Sequence, residues 1–167
     1  MAESDITAIL LAHNHWATRN ILDACAALPD DQFHRRFEMG PGSLHDTLRH
    51  MLYAMGHWSE VLAARPARTR DPNKRYTAPE MLEILDAVSA ELLDVATLHP
   101  HAGIVERTRD GKIERYTRAA VLAHITTHGV HHRAQCLNML RHCGVSPIPL
   151  SSVTGWTHAI DPIPAPA

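Results

Sequence analysis

His124, His128 and His132 recur every fourth residue within LAHITTHGVHHRAQCLNML, in a chain where 14 of 167 residues are histidine. On an α-helix, at about 100° per residue, each lies about 40° around from the last, so the three form one stripe. Taking His128 as the reference, Val121, Ile125, Met139 and Cys143 fall within about 60° of it, so His128 and His132 point toward the apolar side. His131 lies about 60° off on the other flank, and Arg133 is predicted to point outward. Two imidazoles at i and i+4 can grip one cation, the geometry used in His-based zinc sites. Packing alone accounts poorly for such a pair. A buried neutral imidazole must place a donor and an acceptor, and one left unmet costs on the order of 1–3 kcal/mol. A shared metal ion removes that cost.

A third ligand must come from another segment. His45, His50 and His57 lie on one predicted helix, with His50 and His57 on the margin of its apolar face beside Ala54 and Val61. His13 sits on the apolar stripe of the first helix. Periodicity does not choose among the four.

Four helices must position these side chains. The first is predicted over about 5–28, capped by Ser4 and stopped by Pro29, with Ile6, Ile9, Leu10, Ala17, Ile21 and Leu28 on its buried face. A loop with Gly40-Pro41-Gly42 leads to Ser43, which caps a helix over 44–64 carrying Leu44, Leu48, Met51, Leu52, Met55 and Trp58. Residues 65–77 read as a polar connection. Thr77 and Glu80 form a capping box for a third helix reaching Leu98. Asp110-Gly111 between two short alternating runs predicts a hairpin, and Thr117 caps a fourth helix over 118–143 that Gly144 closes. Residues 145–167 hold five prolines and no sustained period, and read as a tail that wraps the surface or frays. The fold class expected is all-α: a four-helix bundle over 1–150, with a longer connection holding a small hairpin between its third and fourth helices, and a Pro-rich tail over 151–167.

Composition narrows the function. A formal charge of −2 gives no electrostatic footprint for nucleic acid, and no apolar run is long enough for a membrane span. The start, MAESDITAILLAHNHW, lacks a basic leader. Cys25, Cys136 and Cys143 are too scattered for a disulfide framework or a thiolate zinc site, which points to a cytoplasmic protein with reduced thiols.

These residues together resemble the DinB-like family of four-helix-bundle metalloproteins. The resemblance rests on N14-x-W16-A17-T18-R19-N20, on G42-S43-L44-H45-D46-T47-L48-R49-H50, and above all on H124-x-x-x-H128-x-x-H131-H132-R133-A134-Q135, where the family reads H-x-x-x-H-x-x-H-H-R-G-Q. It implies a divalent ion, zinc or nickel, held by His50, His128 and His132. It also implies a homodimer. His13 stands where many members have a tyrosine near the site; it is expected to support the site from behind or to be an additional ligand. His124, His131 and Gln135 are expected around the site, His124 buried, whereas His34, His45 and His57 are expected to be solvated or capping side chains.

Three neutral imidazoles would leave a +2 ion with an open position, the pattern of a catalytic site. The resemblance implies either S-transfer or isomerisation with a low-molecular-weight thiol, which is preferred, or hydrolysis by metal-bound hydroxide, on a small-molecule substrate. No catalytic residue is identified by motif. The competing class is a non-catalytic metal-binding stress-response protein. A di-iron bundle wants Glu-x-x-His pairs that do not stand out here, and a bis-histidine haem is the weaker remaining reading.

Overall fold

A computed structural model describes residues 5–98 and 101–160. The chain is mostly helical with one small sheet. Its elements are α1 (Ile6–Ala26), α2 (Asp30–Phe33), α3 (Leu44–Leu62), α4 (Ala78–Leu98), β1 (Ile104–Arg109), β2 (Lys112–Thr117), α5 (Arg118–His142) and α6 (Val153–Ile160). Among the described residues no helix is long and apolar enough to cross a membrane.

The four long helices pack side by side. α1 lies against α4 and α5, and α3 also lies against α4 and α5. Ile21 and Leu22 of α1, Leu44, Leu48 and Met51 of α3, Met81 and Leu85 of α4, and Met139 and Leu140 of α5 are almost fully buried between them. Burying side chains of this size contributes about 1.5–3 kcal/mol each, which makes this shared core the main support of every element.

The helix ends follow their sequence signals. Ser43 Oγ accepts from the Asp46 amide, and Thr117 Oγ1 accepts from the Ala120 amide. The Thr77 amide donates to Glu80 Oε2 at 2.7 Å while the Glu80 amide donates back to Thr77 Oγ1 at 3.3 Å, the reciprocal capping box. Ser4 lies outside the described residues; Asp5 fills the cap position of α1, its side chain accepting from the Thr7 amide. Strands β1 and β2 pair antiparallel with Arg109 opposite Lys112. Asp110 and Gly111 turn the chain between them, both at positive φ, as a two-residue turn requires.

Two short helices escaped the periodicity. α2 is a single turn within the segment before α3, too brief to show a 3.6-residue period. Where an irregular tail was expected, α6 docks on α1 and buries Trp156. Its hold is one aromatic anchor, not a repeating stripe.

Candidate metal centre

α5 lies between α1 and α3, so it has two buried sides. The side toward α3 carries His128 and His132, and α3 answers with His50. The ring centroids are 5.0 Å apart for His50 and His128, 4.7 Å for His50 and His132, and 4.4 Å for His128 and His132. One potential ligand nitrogen from each ring lies within 4.8 Å of the other two. His50 Nε2 and His128 Nε2 approach to 3.0 Å. Burial grades across the triangle: His132 is buried, His128 half-buried and His50 exposed. The cluster is therefore open on the α3 side and closed toward the core.

The protonation states suit a cation. Burial pulls His50, His128 and His132 below the ordinary imidazole value, and the charge His132 would carry pulls down the other two further. His128, facing four other imidazoles, falls to about 4. All three rings are neutral at pH 7 and present lone pairs. A tetrahedral zinc ion with Zn–N near 2.0–2.1 Å holds its nitrogens about 3.3 Å apart. A triangle with sides between 3.0 and 4.8 Å closes on that geometry by small side-chain movements. The donor set fits a divalent ion of the kind imidazole prefers.

A model of the DinB family matches residues 2–159. The chain belongs to the DinB family. No curated protein matches it.

In this DinB-family chain the cluster is braced from behind. His132 Nδ1 donates to Gln135 Oε1 at 2.8 Å, and Gln135 Nε2 lies 3.2 Å from His131 Nε2. Placing the proton on Nδ1 leaves the Nε2 lone pair of His132 to face the cluster. Gly40 makes room for this brace. It has φ +51°, and a Cβ there would overlap the Gln135 carboxamide. The Gly-Pro-Gly loop thus seats the side chain that orients His132.

The other expected residues are placed differently. His124 is exposed, not buried, with its ring 5.5 Å from both Trp58 and His128. His13 is buried away from the triangle and donates from Nε2 to the Ser151 carbonyl at 3.0 Å, edge-on to Trp156. It pins the segment leading into α6. His45 is also buried: Nδ1 donates to Asp46, and Nε2 accepts from the Tyr76 amide, each at 3.0 Å. That ring ties the 65–77 connection to α3. Arg133, expected to point outward, is 1% exposed. The angle that carries it away from α3 carries it into α1, where its Nη1 donates to Asn14 Oδ1 and to Thr18 Oγ1.

A cavity of about 550 Å³ opens beside the triangle, bounded by His50 and His128 on one side and by the hairpin residues Arg107, Arg109 and Tyr116 on the other. Trp58 and His57 of α3 line it as well. Trp58 is in the core, as its place on the apolar face of α3 predicts, and also borders the cavity; the hairpin arginines have no counterpart among the expected site residues. The available signal was the odd-numbered alternation of Val105, Arg107 and Arg109, which puts all three on one face of β1.

Proposed function

We propose that this DinB-family protein is a metal-dependent enzyme acting on a small molecule, with His50, His128 and His132 as ligands to a divalent ion, zinc or nickel. The four long helices are read as the family's four-helix bundle over 1–150, with 151–167 as its tail. The observation that carries the proposal is the convergence of three neutral imidazoles from two helices at the edge of an open cavity. A structural zinc site is closed by four protein ligands, whereas a catalytic one keeps a position open.

When bound, the ion would act as a Lewis acid and lower the pKa of a coordinated thiol or water toward neutrality. The rest falls to the chain. Gln135 fixes the tautomer and orientation of His132. His131, which shares Gln135, is exposed beside the cluster. The half-buried and exposed positions of His128 and His50 leave the site approachable from the cavity. Thiol-dependent S-transfer or isomerisation is the preferred chemistry, because among the described residues no carboxylate lines the cavity to serve as a base for hydrolysis. Metal-dependent hydrolysis, and a non-catalytic stress-response role, are the alternatives. A homodimer in the cytoplasm completes the proposal.

Metal analysis of protein purified without chelator or histidine tag tests it, beside the triple variant His50→Ala, His128→Ala, His132→Ala. About one zinc or nickel per chain, lost in the variant, is expected. A folded protein that neither carries nor takes up either metal would overturn the site. Full occupancy without turnover of any thiol and electrophile pair would favour the non-catalytic role.

A further inference from the structure

Among the described residues the cavity beside the triangle is lined without an acidic side chain, and it carries two arginines from one face of β1. They are not equivalent. Arg107 is committed: Nε donates to Glu114 Oε2 at 2.6 Å, and its guanidinium lies 4.6 Å from the Trp58 ring and 5.5 Å from the Tyr116 ring. The Tyr116 hydroxyl donates to the same Glu114 oxygen at 2.6 Å. These contacts make Arg107 part of the wall. Arg109 faces the same cavity with 65% of its side chain exposed; it makes a long ion pair, 3.8 Å, with the exposed Asp110 and lies close enough to Glu114 to help lower that carboxyl's pKa. Directly across the hairpin stands Lys112. Like charges opposite each other in a β-ladder are destabilising. Asp110 and Glu114 offset part of this positive charge, yet the Arg109 guanidinium stays largely exposed at the cavity.

We propose that Arg109 is a specificity residue that binds the carboxylate of a small apolar acid, whose body lies over Ala54, Trp58 and Ala120 and whose far end reaches His50 and His128. The inference rests on reading the imidazole triangle as the reaction centre. A guanidinium is a planar fork that matches a carboxylate with two parallel hydrogen bonds. A volume of about 550 Å³ lies in the range of small-molecule sites. Ala54, Trp58 and Ala120 give it an apolar floor. His57, held neutral by burial and then by the charges of Arg107 and Arg70, supplies a hydrogen-bonding group without a second charge.

Benzoate and its neutral isostere benzamide are the probes, titrated by heteronuclear NMR into both the metal-free and the zinc-loaded chain. The Trp58 indole and Arg109 Nε resonances are the readout, and no turnover is needed. In both forms benzoate should shift both signals and bind about tenfold or more tighter than benzamide. Arg109→Ala should remove that advantage, and Arg109→Lys should keep part of it. Arg115→Ala, which alters an exposed pair with Glu106 on the same hairpin, should change nothing. Equal binding of the two probes, benzoate binding that survives Arg109→Ala, or no binding at all overturns the inference. The proposed function fails separately: a chain that takes up no zinc yet keeps Arg109-dependent benzoate binding retains the subsite and loses the metal centre. Stoichiometric zinc with Arg109-independent benzoate binding does the reverse.

Discussion

Gln135 Oε1 accepts the Nδ1 proton of His132 at 2.8 Å, so a residue three positions along the same helix sets which nitrogen of that imidazole faces the cluster. Removing such an outer partner typically costs 10–100-fold in metal affinity. Gln135→Leu should therefore weaken zinc binding by roughly 10–100-fold with little change in the fold. Gly40→Ala, which drives a Cβ into the Gln135 carboxamide, should weaken it in the same direction. Competition with a chromophoric chelator measures both. Unchanged affinity in Gln135→Leu would mean that packing alone orients His132.

At the proposed metal site, the lowered pKa values would set the pH dependence of metal uptake. Protons and metal compete for the same nitrogens, so affinity rises with pH until the ligands are neutral and is flat above that point. Three unperturbed imidazoles at 6.5 would lose about 50-fold in affinity between pH 7.5 and pH 6. Here burial holds all three below 6.5, and His128 at about 4, so the fall is displaced to lower pH. Zinc affinity at the proposed site should therefore fall by clearly less than about 50-fold between pH 7.5 and pH 6. A 50-fold loss in the same titration would show rings as exposed to protons as free imidazole.

The local rules of helix and turn carried much of the fold into the sequence. Ser43, the Thr77–Glu80 pair and Thr117 mark helix starts, and Asp110-Gly111 marks the hairpin, because each signal is complete within a few residues. The spacing of His128 and His132 was legible for the same reason. His50 needed more: its angular position on α3 resembled that of His57, and only the family resemblance separated the two. Tertiary burial was the part that could not be read. A single hydrophobic stripe describes a helix with one buried side. α5 has two, so Arg133 was turned the wrong way and the Asn14–Thr18–Arg133 contact went unseen. His13 and His45 satisfy distant backbone groups at Ser151 and Tyr76, which no periodicity reports.

Glu60 gives the protein an acid-sensitive joint. Its carboxylate is 3% exposed and holds Arg70 at 2.6 Å, together with Arg68, tying the connection after α3 back onto that helix. Burial alone would raise its pKa; the hydrogen bonds from Arg70 and Arg68 outweigh it and bring the group from 4.5 to about 2. A carboxylate held lower in the folded state contributes stability that is fully present above the unfolded value. That contribution is lost as pH falls from about 4.5 through about 2. Glu60→Gln should destabilise by on the order of 3 kcal/mol at neutral pH and flatten the acid limb of the stability profile in this window. Chemical denaturation repeated at several pH values measures both effects. An acid limb of the same steepness in the variant would assign the transition to other groups.

Arg133 puts a buried charge between α1 and α5 with no acidic partner among the described residues. Its Nη1 reaches Asn14 and Thr18, its Nε has no partner among the described residues, and desolvation lowers its pKa to about 10. The two sides of such a contact respond unequally to removal. Asn14→Ala deletes the main acceptor and leaves the guanidinium stranded, which should cost about 3 kcal/mol or more. Arg133→Met removes the charge while keeping much of the volume, and should cost no more than about 1 kcal/mol even though it deletes the larger polar group. Gly129→Ala should be destabilising by about 1–3 kcal/mol, because its Cβ would overlap the Asn14 carboxamide and crowd the Arg133 guanidinium. Urea midpoints rank the three. If Arg133→Met proved as costly as Asn14→Ala, the guanidinium would be a net contributor to stability and not a buried charge that Asn14 makes tolerable.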